Sequence, residues 1–208
     1  MVRDCCVIKL GGGLAATPQL RPWLAWIAGH GGCAVLVPGG GPFADAVRIA
    51  QPRLGLDDRA AHDMALLAMN QLGIAFAALQ PGLVPAPTPA AIAAVLDRGA
   101  VPVWQPWPML CGEASVPADW AVTSDSLALW LATVLGAALV LLVKARPAPA
   151  DADAERLVAD GLVDAAFPVF RERFAGRVTL AGPDDAAVPL ADAPPGSLAG
   201  ADRVPAGS

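Results

Sequence analysis

Only two lysines occur among the 208 residues, Lys9 and Lys144, against twelve arginines. Each closes an apolar run, "CCVIK" and "ALVLLVK". Where arginine is the default cation, a retained lysine marks a place that suits a compact ammonium, such as the space between oxygens of a small anionic group. The plain alternative is an ordinary charge at a strand end. Two glycine triplets, Gly11–Gly13 and Gly39–Gly41, follow apolar runs in the same way. Side-chain-free loops bring backbone N–H groups close to a ligand, and a helix starting just after them adds its positive end. The competing explanation is that the glycines only make tight turns. In "WAVTSDSLALWLA", Thr123 or Ser124 can cap a helix and Asp125 complements its dipole. Set beside the two lysines, an ionised Asp125 would also hold both ammonium groups in position. Ammonium groups and glycine loops together are the equipment of phosphoryl chemistry.

Two other phosphate motifs fit poorly. The pattern GxxxxGK[ST] is absent, because no lysine follows either triplet. "GGGLAA" (residues 11–16) loosely meets GxGxxG/A, but the second apolar run ends in "VPGGG" without the acidic residue that a ribose requires.

These residues must be positioned by alternating elements. Strands are predicted over "CCVIKL", "CAVLVP", residues 83–84, "VPVWQP", residues 138–143 and, at the outside, "RVTLAG". Helices are predicted over "TPQLRPWLAWIAGHGG" with Thr17 as N-cap and Pro18 at its first position, over "PFADAVRIAQ", and over residues 57–80 with a bend near Gly73. Further helices are predicted over "TPAAIAAVLDRG", residues 124–135, "DADAERLVADG" and "AAFPVFRERF". Alternation of this kind makes an α/β domain with a mostly parallel sheet, whose ligands sit beyond the carboxyl ends of the strands, where both triplets fall.

Composition sets the outer limits. The net charge is −5 and no basic cluster occurs, which argues against nucleic acid as a partner. The four cysteines contain no CxxC pair and read as small buried hydrophobes in a reducing cytosol, and no metal site is expected from His30 and His62. No signal peptide is visible. The apolar stretch of residues 127–143 is near the length of a membrane span, but Gly136 divides it into a helix and a strand, so no membrane partner is expected. One domain is expected over residues 1–190, with a loose Pro-, Gly- and Ala-rich tail over 191–208.

The ordered set "VIKLGGG", "VLVPGGGPFADAVR", "HDMALLAMNQLG", "WAVTSDSLALWLA" and "LVLLVK" resembles the amino acid kinase family over roughly the first 145 residues. "LVADGLVDAAFPVF" is similar to part of that family's nucleotide half, whereas "KARPAPADADAERL" lacks the usual D-G-V/I-Y pattern. The resemblance implies a three-layer αβα sandwich, with an acceptor half near residues 1–120 and a nucleotide half near 121–190. It also implies a cytoplasmic homo-oligomer that transfers the γ-phosphoryl of ATP, with Mg2+, to a carboxylate, carbamate or phosphate.

On this resemblance Lys9 stabilises the transferring group, Lys144 acts on the leaving phosphates and Asp125 organises both. Gly11, Gly12 and Gly13 cradle the ATP phosphates, and Gly39, Gly40 and Gly41 hold the acceptor, with Thr123 and Ser124 beside them. Asp45 is either a helix-dipole complement or the counter-ion of an acceptor ammonium. Asn70 is either an acceptor ligand or a solvated helix position, and His62 reads as a polar helix-face residue. Within the family the motifs most resemble the branch associated with methanofuran biosynthesis, which converts an aminomethyl-furan-methyl phosphate to its diphosphate. Other family acceptors (nucleoside monophosphate, acyl amino acid, carbamate) and a non-catalytic nucleotide- or oxyanion-binding protein are the alternatives.

Overall fold

The computed structural model describes residues 5–147 and 153–186, so the expected tail lies outside the described residues. Six strands form one sheet in the order β3-β4-β2-β1-β5-β6: β1 (Cys6–Leu10), β2 (Ala34–Pro38), β3 (Leu83–Ala86), β4 (Val101–Trp104), β5 (Leu139–Val143) and β6 (Arg177–Ala181). Every pairing is parallel. Strands β2, β4 and β3 build outward on one side of β1 and β5 and β6 on the other, so β1 lies at the switch in strand order, where a crevice opens at the carboxyl edge.

The helices are α1 (Leu20–Ala28), α2 (Gly41–Leu54), α3 (Asp58–Leu79), α4 (Pro89–Leu96), α5 (Trp107–Leu110), α6 (Ser124–Leu135), α7 (Ala154–Ala159) and α8 (Phe167–Arg173). They cover both faces of the sheet, giving the α/β three-layer sandwich. One apolar core joins Val7, Val35, Val37, Val140 and Leu142 to α4, α6 and α8, and the other joins Ile8, Leu10, Leu36, Leu141 and Val143 to α1 and the end of α3. Adjacent cysteines divide between them, Cys5 in the first and Cys6 in the second. The strands are buried on both faces, which explains why they read as unbroken apolar runs.

Several expectations change. The first helix begins at Leu20 with Gln19 at its N-cap, and the Thr17 hydroxyl instead donates to the Leu14 carbonyl at 3.0 Å. Helix α3 runs unbroken through Gly73, where a Cβ would meet Gln105 Nε2 at 2.6 Å and Val103 at 3.1 Å, so this glycine serves close packing on the sheet. The short helix α5 and a 3-10 turn at Gly12–Leu14 were not expected. Cys33 and Cys111 are exposed rather than buried. The apolar stretch 127–143 is α6, a left-handed Gly136 cap at φ 69° and then β5; among the described residues no helix is long and apolar enough to cross a membrane.

The two glycine triplets touch each other. A Cβ on Gly12 would lie 2.3 Å from the Gly41 nitrogen, and one on Gly39 would lie 2.4 Å from the Gly12 nitrogen. Backbone meets backbone, so no side chain can swing aside to make room. Gly39→Ala should therefore lower stability by about 1–3 kcal/mol, the usual range for overpacking. Urea unfolding checks this; an unchanged midpoint would show that the loops can separate freely.

Candidate active site

Strand alternation brings the two lysines together. Lys9 shares the parity of Val7 in β1, and Lys144 shares that of Val140 and Leu142 in β5, so both side chains leave the sheet toward α6. Parallel pairing of β1 with β5, Lys9 opposite Leu142, sets them at the same carboxyl edge. There α6 presents Asp125 from its first turn. Lys9 Nζ lies 2.9 Å from Asp125 Oδ1, and Lys144 Nζ donates to Oδ1 and Oδ2 at 2.7 and 2.8 Å. All three side chains are buried, each less than a tenth exposed.

Burial pushes the Asp125 carboxyl up, but the charges of Lys9 and Lys144 outweigh it and hold the group below the ordinary carboxylate value. Lys144 is lowered to about 8, first by burial and then by the Lys9 charge, against the pull of Asp125. The triad holds two cations and one anion, so one positive charge is left for an anionic ligand.

Helix α6 is held in place by a residue that sequence reasoning passed over. Its N-cap residue, Thr123, makes no side-chain cap of its own. Instead Asp164 Oδ2 accepts the Thr123 N–H at 3.0 Å, the Thr123 hydroxyl at 2.8 Å and the Ser126 N–H at 3.0 Å, while Oδ1 accepts the Ser126 hydroxyl. The capping carboxylate thus arrives from 41 residues down the chain. Burial, and then the Asp125 charge, push its carboxyl up, and these hydrogen bonds oppose the shift. The only sequence signal was one acidic residue inside the apolar "GLVDAAF".

Two cavities flank the triad. One, of about 340 Å³, is lined by Lys9, Gly11, Gly12, Gly13, Lys144 and, from beyond β5, Arg146 with its neighbours. The other, of about 300 Å³, is lined by Gly12, Gly13, Gly40, Gly41, Asp45, Arg48, His62, Trp120, Thr123 and Ser124, with Leu66, Met69, Val122 and Leu127 as an apolar wall. Gly12 and Gly13 line both, so the two cavities meet along this loop. The N-termini of α2 and α6 border the second cavity, which suits an anion.

The triplets divide their work by position. Gly11 N–H donates to Val143 and Gly39 N–H to Leu10, both at 3.0 Å, so the first glycine of each triplet extends the sheet's hydrogen bonding. Gly39, expected to contact an acceptor, lines neither cavity and packs on Gly12 instead. Asn70 also lies outside the cavity lining: its Oδ1 accepts the Trp107 N–H at 3.4 Å, at the start of α5. Asp45 lines the cavity and accepts from Arg48 at 3.3 Å. Arg48, His62, Trp120 and Arg146 are lining residues that were not expected. Arg48 stacks 4.4 Å over Trp120, whose Nε1 donates to Gln51 at 2.6 Å.

The amino acid kinase family model matches residues 4–153. A [5-(aminomethyl)furan-3-yl]methyl phosphate kinase of Methanocaldococcus jannaschii is 27% identical over 139 residues, 65% of this chain and 63% of that protein, so the match spans less than two-thirds of the relative's length. Uridylate kinase from Archaeoglobus fulgidus superposes with a TM-score of 0.63 at 16% identity, covering 87% of this chain and 92% of that one. UMP kinase from Ureaplasma parvum gives 0.64 at 14% identity, covering 94% and 93%. At such identities the structural likeness establishes a shared fold.

Removing different members of the triad should have unequal consequences for stability. Asp125→Asn leaves two buried ammonium groups without a counter-charge and should cost about 3–5 kcal/mol. Lys144→Met removes a like-charge repulsion and should leave the melting temperature near that of the wild type. Equal losses in thermal unfolding would contradict this charge balance.

Proposed function

The chain belongs to the amino acid kinase family, and from that premise we propose that it transfers the γ-phosphoryl group of ATP to the phosphate of a small acceptor, with an aminomethyl-furan-methyl phosphate as the best fit. The observation that carries this reading is the buried Lys9–Asp125–Lys144 triad beside two cavities that share a glycine wall. Residues near 1–120 and 121–190 act as acceptor and nucleotide halves of one domain, and both contribute to the acceptor cavity.

ATP fits the cavity that contains the lysines. Gly12 and Gly13 offer backbone next to the triad's surplus positive charge, the environment that a polyphosphate requires. Mg2+ would be brought by the nucleotide and would supply charge neutralisation to its phosphates. Lys9 and Lys144 stabilise charge on the equatorial and bridging oxygens, and Asp125 keeps both ammonium groups on station. Gly40, Gly41, Thr123 and Ser124 orient the acceptor phosphate. One of its oxygens bonds to the γ-phosphorus while the bond to the β,γ-bridging oxygen breaks, and the electron pair leaves with ADP. An ionised phosphate needs no base, so positioning and electrostatics suffice.

The relative from M. jannaschii supports the acceptor assignment through its named substrate. The cavity supports it through an apolar wall for a ring, helix N-termini for a phosphate, and Asp45 for an ammonium. Self-association belongs to the same reading, because α2 and α3 leave Phe43, Ile49, Leu67 and Ile74 exposed.

An ADP-release screen over phosphorylated amines, nucleoside monophosphates and acyl amino acids tests the proposal. Phosphorylated amines should give the highest kcat/KM, and Lys9→Ala should lower kcat by roughly 10²-fold or more. ATP binding without ADP release from any acceptor would instead mark a nucleotide-binding protein. The kcat/KM for ATP should also fall as pH rises through about 8, where Lys144 of the free protein gives up its proton. Because its native pKa lies below the ordinary 10.5, this group's contribution to stability moves the other way and rises with pH between about 8 and 10.5.

A further inference from the structure

The acceptor cavity contains a buried titratable side chain that phosphoryl transfer leaves unused. His62, near the start of α3, is 6% exposed and lies in the cavity wall. Its ring lies near the backbone of Asp119, which favours the protonated form. Burial holds the imidazole below its ordinary value of 6.5, against the raising influence of the Asp119 carbonyl, so the ring is neutral at pH 7.

A neutral imidazole has one N–H and one lone pair. The nitrogen that carries the lone pair can only accept. Among the described residues no side-chain hydrogen bond reaches this ring. The charged groups around it are largely committed. On α3, Arg59 pairs with Asp63 at 3.2 Å. On α2, Arg48 pairs with Asp45 at 3.3 Å and stacks on Trp120. In the loop before α6, Asp119 Oδ1 accepts the Ala121 N–H at 2.8 Å.

The cavity therefore divides by hydrogen-bonding sense. Ser124, Thr123 and the helix N-termini offer donors suited to a phosphate. The Asp45 carboxylate and the His62 lone pair offer acceptors, which match a donor group, and their negative character favours a cationic donor over a hydroxyl. Resting on the phosphate-acceptor reading above, we infer that His62 is a specificity-determining residue whose free ring nitrogen accepts a hydrogen bond from a protonated primary amine on the acceptor. The site thereby reads the amine as well as the phosphate.

The test is a pair of probes, an aminomethyl-furan-methyl phosphate and its hydroxymethyl counterpart, titrated calorimetrically into the full chain. Wild type should bind the amine at least about tenfold more tightly at pH 7.5, because a charge-assisted hydrogen bond is roughly twice as strong as a neutral one. His62→Phe should lose most of that preference, and His62→Gln, which keeps an acceptor, should retain part of it. In wild type the preference should also shrink on acidification below the imidazole pKa, since the protonated ring repels the ammonium. The two ligands share the phosphate, so its own titration cancels in the ratio. If His62→Phe does not fold, as judged by thermal unfolding, the wild-type pH series decides. Equal binding of both probes, binding of neither, or a preference that survives in His62→Phe or at low pH overturns the inference. Selective binding of the amine without ADP release would leave His62 in its role and overturn the kinase reading alone.

Discussion

The structure turns on a carboxylate shared by two ammonium groups away from water. Burying one charge is unfavourable, and burying two like charges beside each other is worse. Asp125 makes the arrangement possible by bonding to both, and the depressed pKa of Lys144 records that the compensation is incomplete. The surplus charge is what gives the site its use. Excess positive charge at the wall of a cavity suits an anionic ligand. The ammonium groups are already oriented by Asp125, so an anion beside them would meet preorganised donors.

Each strand and helix nearby can be understood as serving that carboxylate. Parallel pairing of β1 with β5 equalises the heights of the lysines, and strand parity aims both at α6. The helix delivers Asp125 in its first turn, where the backbone dipole also favours a negative charge. Because α6 has no cap of its own, its start depends on Asp164 from the segment before α8. That contact joins the segment beyond β5 to the lysine site. A shift of Asp164 would move the α6 terminus, and Asp125 with it.

Much of this was legible in the sequence because it is encoded locally. Buried parallel strands are unbroken apolar runs, and Gly136 marks the end of α6 as plainly as a left-handed cap can. The lysines stood out because arginine is otherwise used throughout. The unread features are those created by distance in sequence. Asp164 meets α6 only after the chain has folded back, and His62 enters a cavity wall because α3 packs on α2 beside the 111–123 loop. Local signals also left unread what two residues near the site pack against. Asn70 had the chemistry of a ligand, yet its oxygen is engaged at α5. Gly39 belonged to a nest-like triplet, yet the space it leaves is filled by the backbone of Gly12 rather than by a ligand.

That last contact links stability to chemistry. If the triplets were only anion cradles, each would tolerate small changes in the other. Instead they are pressed together, and Gly12 and Gly13 line both cavities. The glycines let adjacent strand ends close against each other, and the same close approach brings the two cavities together along one loop. On the proposed transfer reading that junction must be open, because in-line displacement requires reacting atoms about 3–3.5 Å apart.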